Sequence, residues 1–289
     1  MKSDSACITP LSGTGPGVAG IQYAMRVKSF GVLIALGILV AACGGGDIDG
    51  GAVGDDEALL QITSEGGFAP VEFALANGPR YTLLGDGRLI YQGLTTLEYP
   101  GQLVPPFMVA TLDSNQMGAV LAMVDDIGLP DIDDEVDDEA MNMVADATTE
   151  VVTFWDENGA HRLAVYALCL EESPSARNEA FLELIQTFDQ FTAETPAEPY
   201  VADQVRVIAG PGAVDPEFED VRPWPLPDTD FSDWETLPNG WHCQVVEGAV
   251  PDAFESATQA TTWEHPDGTS EPLLLLVRPL LPGEPDCPA

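Results

Sequence analysis

Two pairs of β-rich segments, each followed by an amphipathic helical segment, most strongly constrain how this chain folds. In the first pair, residues 81–84 and 88–91 flank Gly85-Asp86-Gly87, a glycine-rich connection typical of a β-hairpin. In the second pair, residues 150–155 and 161–168 flank a turn that contains Asn158-Gly159. An Asn-Gly turn between β-rich runs is the strongest short hairpin signal in the chain. Both hairpins therefore belong to an antiparallel sheet.

A helix is predicted after each hairpin from the spacing of its apolar residues. Residues 113–127 place Met117, Val120, Leu121 and Val124 at positions i, i+3, i+4 and i+7. Asp113 or Ser114 would cap that helix, and Gly128 would end it. The second helix is predicted to open with Ser173 as its cap and Pro174 at its first position. Its buried face would consist of Phe181, Leu184, Ile185 and Phe188. Residues 67–195 thus predict an α+β domain, an antiparallel sheet packed by two helices.

These hairpin and strand segments resemble a family of uncharacterised bacterial lipoprotein domains of actinobacterial type. The resemblance lies in residues 85–93, residues 146–149, the Asn158-Gly159 turn and residues 165–167, and it spans about residues 67–191. The matching residues are turn glycines and strand residues. The resemblance therefore implies a hairpin–helix–hairpin–helix architecture and implies no activity.

The rest of the chain predicts a connector and a second, smaller unit. Residues 196–240 are rich in proline and acids, with a strand candidate at 205–208, and proline keeps their backbone largely extended. Residues 241–289 predict a small α+β unit with a strand from Trp241, a short helix over 251–260 and a closing hairpin around 266–268.

The cysteines predict one disulfide. The chain has five cysteines, and Cys169, Cys243 and Cys287 remain once Cys7 and Cys43 are assigned to the N-terminal region. Pairing Cys243 with Cys287 would staple the C-terminus onto its own unit and contribute about 4 kcal/mol by chain entropy. Cys169 lies in the apolar run 167–170 and is predicted to be a buried free thiol.

An export signal is predicted at residues 25–42. Two basic residues, Arg26 and Lys28, precede an apolar stretch that is shorter than the roughly 20 residues needed to span a bilayer. The segment resembles a bacterial lipoprotein signal, which implies that Cys43 becomes the first mature residue and carries acyl chains such as palmitate. Met25 would be the true start, with residues 1–24 an upstream extension and residues 43–66 a flexible acidic tether. This predicts a membrane-attached protein outside the cytoplasm.

The acidic composition limits the possible partners. A formal net charge of −38 makes nucleic acid an unsuitable partner, because phosphate binding depends on Lys and Arg. The acidic run 131–139 suggests a calcium site, with Asp131, Asp133 and Asp134 as candidate ligands. It does not match an EF-hand loop, because Val136 and Asn142 occupy the positions of the required Gly and Glu. A less regular oxygen site and a solvated loop remain as alternatives.

Four aromatic residues of the connector region are candidate interaction residues. Trp224, Phe231, Trp234 and Trp241 could pack the two units together or line a groove for an envelope protein partner.

No catalytic or metal-binding motif is evident, and the three histidines are scattered without metal-ligand spacing. The sequence therefore favours a non-enzymatic, membrane-anchored binding or scaffolding module that requires no cofactor. An envelope hydrolase with an acidic active site and a calcium-stabilised structural protein are the alternatives. The sequence gives no indication of the oligomeric state.

Overall fold

A computed structural model describes most of the chain after residue 52. The described residues are 53–68, 75–76, 78–95, 98–138, 145–170, 174–227, 230–248 and 250–288. The predicted extension, signal and anchor cysteine, and residues 44–52 of the predicted tether, lie outside them. In the short range 75–76, Leu75 and Ala76 are helical.

The described chain forms two β-sheets and three α-helices. The first sheet consists of β1 (Ala58–Gly66), β2 (Tyr81–Leu84), β3 (Arg88–Gln92), β4 (Phe107–Thr111), β5 (Asp134–Asp137), β6 (Thr148–Asp156), β7 (Gly159–Tyr166) and β8 (Ala197–Pro199). The second consists of β9 (Gln204–Pro211), β10 (Val221–Arg222), β11 (Glu235–Thr236), β12 (His242–Glu247), β13 (Thr262–Trp263) and β14 (Leu273–Pro279). The helices are α1 (Ser114–Ile127), α2 (Ala176–Glu194) and α3 (Asp252–Glu255).

The α+β class is confirmed, and both predicted hairpins are present as β2–β3 and β6–β7. The strand order of the first sheet is β5-β7-β6-β1-β2-β3-β4-β8. The prediction of a wholly antiparallel sheet is wrong, because β5 pairs with β7 in parallel. This strand forms within the acidic run 131–139, where mostly charged residues replace the usual alternation of apolar and polar residues in a strand.

Strand β1 corrects the predicted tether. Residues 58–62 are buried, and β1 pairs with β2 on one side and β6 on the other. The apolar run Leu59-Leu60 with Ile62 supplies a buried strand that the neighbouring glycines and acids obscured in the sequence. The folded domain therefore begins before residue 58, nine residues or more ahead of the predicted boundary at residue 67.

Both long helices begin and end at identifiable caps. The Asp113 side chain accepts from Asn115 N and Gln116 N, and Gln116 Oε1 accepts from Asp113 N, which completes a capping box. Gly128 ends α1 with a φ of 78°, a conformation that glycine adopts without steric cost. Helix α2 begins slightly later than predicted, because Ser175 is its cap and accepts from Asn178 N.

The two helices cover one face of the first sheet. All four predicted apolar residues of α2 are buried, and they pack with Val120, Val124 and Ile127 of α1. Opposite them lie the strand residues Leu60, Ile62, Leu83, Leu89, Val152, Leu163 and Val165. This cluster forms the main core of the molecule, and apolar burial of this kind contributes roughly 25 cal/mol per Å².

The second sheet has the order β10-β13-β14-β9-β12-β11, with β10 and β13 parallel. Strand β9 was predicted within a connector, yet it lies between β14 and β12 at the centre of this sheet. The predicted closing hairpin is present as β13–β14, whereas the predicted helix over 251–260 is limited to α3. The predicted disulfide between Cys243 and Cys287 is also present.

The chain after β14 packs on the first sheet. Leu281 is buried against Leu84, Ile90 and Phe107, on the face opposite the helices. Pro282 O accepts from Gln61 Nε2 at 3.3 Å, which ties this segment to β1. The first sheet is therefore covered on one face by helices and on the other by the C-terminal segment.

We expect the replacement Gly210→Ala to destabilise the protein by about 1–3 kcal/mol, the usual cost of overpacking a core. A Cβ at Gly210 would lie 2.1 Å from the Trp241 ring, which is buried against this strand. The matched control is Gly118→Ala in α1, where a Cβ meets nothing within 4 Å. That control should stabilise the helix by about 0.5–1 kcal/mol. Urea unfolding of both variants measures the difference, and equal effects would contradict the packing described for β9.

His161 joins the second hairpin to the turn that precedes β5. Its Nδ1 lies 2.6 Å from Ile132 O, and its Nε2 lies 3.0 Å from Asp156 Oδ1. Both nitrogens thus face acceptors, which favours the doubly protonated ring. The hydrogen bonds to Asp156 and Ile132 raise the pKa of His161, and the bond from His161 lowers the pKa of Asp156.

This arrangement predicts that His161 stabilises the fold in mildly acidic solution. A raised folded-state pKa gives stability that is complete below the unfolded value of about 6.5 and lost as pH rises through the folded value. The lowered pKa of Asp156 keeps its carboxylate charged in mildly acidic solution. We expect His161→Gln to lower the melting temperature most near pH 5.5 and progressively less above neutrality. A melting-temperature difference that is constant from pH 5 to 9 would contradict this.

Candidate functional site

A cleft in the described part of the chain lies where α2 ends above the first sheet. Its volume is about 930 Å³, within the range of small-molecule sites. Its sheet side is lined by Ser64, Arg80, Tyr81, Tyr91, Gln92 and Met108. Its remaining walls are formed by Gly78, Gly93, Leu94, Pro106, Thr192 and Ala193.

The floor of the cleft is a row of side chains directly opposite one another across three strands. Tyr81 of β2 pairs with Tyr91 of β3, and Tyr91 pairs with Met108 of β4. Directly paired residues project to the same face of a sheet. Tyr81 and Tyr91 belong to the helix-facing core, so this row lies on the face that the helices cover. Because α2 ends at Glu194, the end of this row stays open.

Arg80, Tyr81 and Asp189 form a hydrogen-bonded cluster in the wall of the cleft. Arg80 Nη2 donates to both carboxylate oxygens of Asp189, at 2.8 and 3.0 Å. The Tyr81 hydroxyl also donates to Asp189 Oδ1. The Tyr81 ring packs against Phe188, with 5.2 Å between the ring centroids. Strand β2 and helix α2 thereby hold the three side chains in a fixed arrangement.

The cluster keeps defined protonation states. Burial and the hydrogen bond to Asp189 raise the pKa of Tyr81 to about 12, so its hydroxyl stays protonated at physiological pH. Burial opposes the charge on Arg80, but Tyr81 and Asp189 outweigh it and raise the pKa of Arg80. The cleft therefore presents a permanent guanidinium beside a neutral phenol.

Ser64 provides a hydroxyl at the far end of β1. Its Oγ donates to Glu150 Oε2 at 2.6 Å, and Glu150 is buried. This bond directs the hydroxyl proton away from solvent and leaves the Ser64 oxygen as an acceptor. Two smaller cavities also occur in the described residues. One of about 410 Å³ lies beside Gln102 and Leu275, and one of about 390 Å³ lies beside Met117 and Phe154.

The four predicted aromatic residues lie elsewhere and do not form an exposed surface. Phe231, Trp234 and Trp241 are buried, which corrects the prediction of a partner surface at these residues. Trp224 is partly buried and lies 5.6 Å from both Phe231 and Trp234, measured between ring centroids. Leu103, from the loop between β3 and β4, joins their cluster. Trp224, Phe231 and Trp234 therefore serve packing, including packing between the two units.

The acidic run and Cys169 also differ from expectation. Asp131, Asp133 and Asp134 are exposed, and Asp134 pairs with Arg162 at 3.0 Å. In the part of the chain that the structure describes, no group of three His, Cys, Asp or Glu side chains is arranged to hold a metal. Cys169 is exposed, so the prediction of a buried free thiol is wrong. It lies in a short 3₁₀ turn, Leu168–Leu170, that carries it out of the sheet.

The sequence did not identify Arg80, Tyr81 or Asp189. Arg80 and Asp189 are 109 residues apart, so no local motif connects them. A usable signal was the scarcity of basic residues, 10 Lys and Arg in 289, with one of them directly before a buried strand. A cation placed at such a position in an acidic chain is a candidate for a specific role.

Comparisons with protein-family models, curated proteins and solved structures gave no match. The resemblance to a lipoprotein domain family accordingly stays a prediction. Within the described residues, no helix is long and apolar enough to cross a membrane.

Proposed function

We propose that this protein is a lipid-anchored binding module that acts outside the cytoplasm. The cleft between α2 and the first sheet is the site at which it binds a small ligand. The observation that carries the proposal is that this cleft is both large and lined by polar side chains in fixed positions. It is large enough for a small molecule, and its polar groups are already held in place by the Arg80–Tyr81–Asp189 cluster.

Preorganisation supports binding because the entropy cost of ordering these side chains does not reduce the affinity for a ligand. Tyr81 is held by Asp189 and Phe188, and Arg80 by Asp189, before any ligand arrives. The apolar floor of Tyr91 and Met108 provides area for hydrophobic contact. Convergent polar groups on a largely apolar floor are the usual composition of a ligand site.

The anchoring part of the proposal rests on the lipoprotein-type signal. With Cys43 acylated, more than one chain would hold the protein stably at a membrane, since each buried methylene contributes about 0.8 kcal/mol. Fourteen residues, 44–57, lie between Cys43 and Ala58, the first residue of β1. The cleft would then lie within a short distance of the membrane surface.

Replacing the anchor cysteine tests the location. We expect the wild-type protein to incorporate an alkyne-labelled palmitate and to partition into detergent, and Cys43→Ser to do neither. Cys7→Ser is the matched control and should behave as wild type, since residue 7 precedes the proposed start at Met25. A labelled or membrane-bound Cys43→Ser variant would refute the anchor.

Filling the cleft tests the binding site. Ala193 is exposed at the last turn of α2 and lines the cleft, so Ala193→Trp should occupy it without disturbing the core. Ala176→Trp is the matched control, because Ala176 is an exposed alanine at the other end of the same helix. A set of neutral, cationic and anionic aromatic fragments is screened by saturation-transfer NMR. We expect fragments that bind the wild type and the control to lose at least about tenfold in affinity for Ala193→Trp, since one blocked contact area of this size exceeds 1.4 kcal/mol.

Two outcomes would contradict the site. One is a wild-type protein that binds none of the fragments. The other is a set of fragments that bind Ala193→Trp as well as they bind the wild type.

A further inference from the structure

Arg80 has hydrogen-bond donors that the fold does not use. Only its Nη2 group bonds to Asp189. The Nε and Nη1 groups donate to no residue in the described part of the chain, and neither is among the buried atoms without a partner. They are therefore accessible to solvent, and Arg80 lines the cleft. Three N–H donors remain available on a planar guanidinium.

Arg80 is the only cation among the described residues that line this cleft. Other arginines of the described chain are engaged at different sites. Arg88 bonds to Asp86 and Asp56, and Arg222 bonds to Asp220 and Ser256. A guanidinium with free N–H donors in a preformed cleft is suited to bind a planar oxyanion.

The surroundings of Arg80 define what such an oxyanion is attached to. Tyr91 and Met108 form the adjacent floor, and Leu94 at the edge of the cleft is fully exposed. An exposed leucine beside an apolar floor favours a ligand with an aromatic or aliphatic body. The complementary molecule therefore has an apolar body and an oxyanion at one end.

The charge balance selects a carboxylate over a phosphate. Asp189 already neutralises much of the Arg80 charge, and the whole chain carries a net charge of −38. A phosphate dianion carries two negative charges, so the acidic chain repels it more strongly, and only one guanidinium is present to offset that repulsion. A carboxylate carries one negative charge and can accept a charge-assisted hydrogen bond from Nε or Nη1 of Arg80.

From these contacts we infer that the cleft binds an apolar monocarboxylate, with Arg80 as the residue that recognises the carboxylate. This inference rests on the proposed binding function of the cleft. Tyr81 is a positioning residue, because its hydroxyl and Asp189 hold the guanidinium in the orientation that leaves Nε and Nη1 free.

The test compares three probes of one shape by isothermal titration calorimetry on the full-length chain in detergent. The probes are naphthalene-2-carboxylate, its neutral carboxamide and 2-naphthyl phosphate. We expect the carboxylate to bind the wild type at least about tenfold more tightly than the carboxamide, the gain typical of a charged hydrogen bond. The phosphate should bind more weakly than the carboxylate.

Arginine variants assign the preference to a residue. Arg80→Gln should reduce carboxylate affinity to that of the carboxamide, and Arg80→Lys should restore part of it, since lysine keeps the charge but lacks the fixed N–H directions of the guanidinium. Arg88→Gln is the matched control, because Arg88 has similar exposure, carries the same charge and does not line the cleft. It should keep the tenfold preference. Melting temperatures confirm that each variant is folded, and Arg80→Lys serves if Arg80→Gln does not fold.

The possible results distinguish failure of the carboxylate inference from failure of the proposed binding function. Equal affinity for carboxylate and carboxamide, with both lost in Ala193→Trp, would overturn the carboxylate inference and leave the cleft as a binding site. Tighter binding of the phosphate, or an unchanged carboxylate preference in Arg80→Gln, would also overturn it. Failure of the carboxylate and the carboxamide to bind would overturn this inference, while the fragment screen decides the proposed function independently.

Discussion

Coverage of both faces of the first sheet is the constraint on which the rest of the structure depends. A sheet exposed on one face would leave Leu84, Ile90 and Phe107 in water, and no residue of α1 or α2 belongs to their cluster. The segment after β14 supplies the missing cover through Leu281. The second unit thus completes the core of the first. This also explains why the sequence, which predicts two separate units, describes the local elements better than their assembly.

A buried ionic cluster and a disulfide hold this C-terminal segment in place. Arg278 forms a two-pronged pair with Glu284, and Arg206 lies 3.6 Å from the same carboxylate. Burial, together with the nearby charge of Arg278, lowers the pKa of Arg206 to about 10. Arg206 also donates to Asp286 O at 2.8 Å, next to the Cys243–Cys287 bond. Two buried cations with one carboxylate are costly to desolvate, and the arrangement fixes the path of the segment rather than adding much stability.

Local elements with strong chemical signals were predictable, and elements defined by distant partners were not. The two hairpins, the caps of α1 and the buried face of α2 follow from turn chemistry and periodicity. Strand β1 was missed because its apolar run lies among glycines and acids. Strand β5 was missed because its residues are mostly charged, and only pairing with β7 makes them a strand. The Cys243–Cys287 pair was predictable, because the position of each cysteine near the end of its unit limits the choices.

The cleft was not predicted from the sequence, because its properties depend on which carboxylates lie near Arg80 in the folded chain. In a chain with 48 acidic and 10 basic residues, carboxylates compete for every arginine, and most described arginines have several acceptors. Arg80 keeps free donors because aromatic and small residues line the cleft beside it. The carboxylate that it does contact, Asp189, also accepts a hydrogen bond from Tyr81. Asp189 is held on α2 and engages Arg80 through Nη2 alone. Only the crossing of β2 with α2, remote in sequence, creates this geometry. The free donors are therefore a property of the fold, which a reading of composition or motif cannot contain.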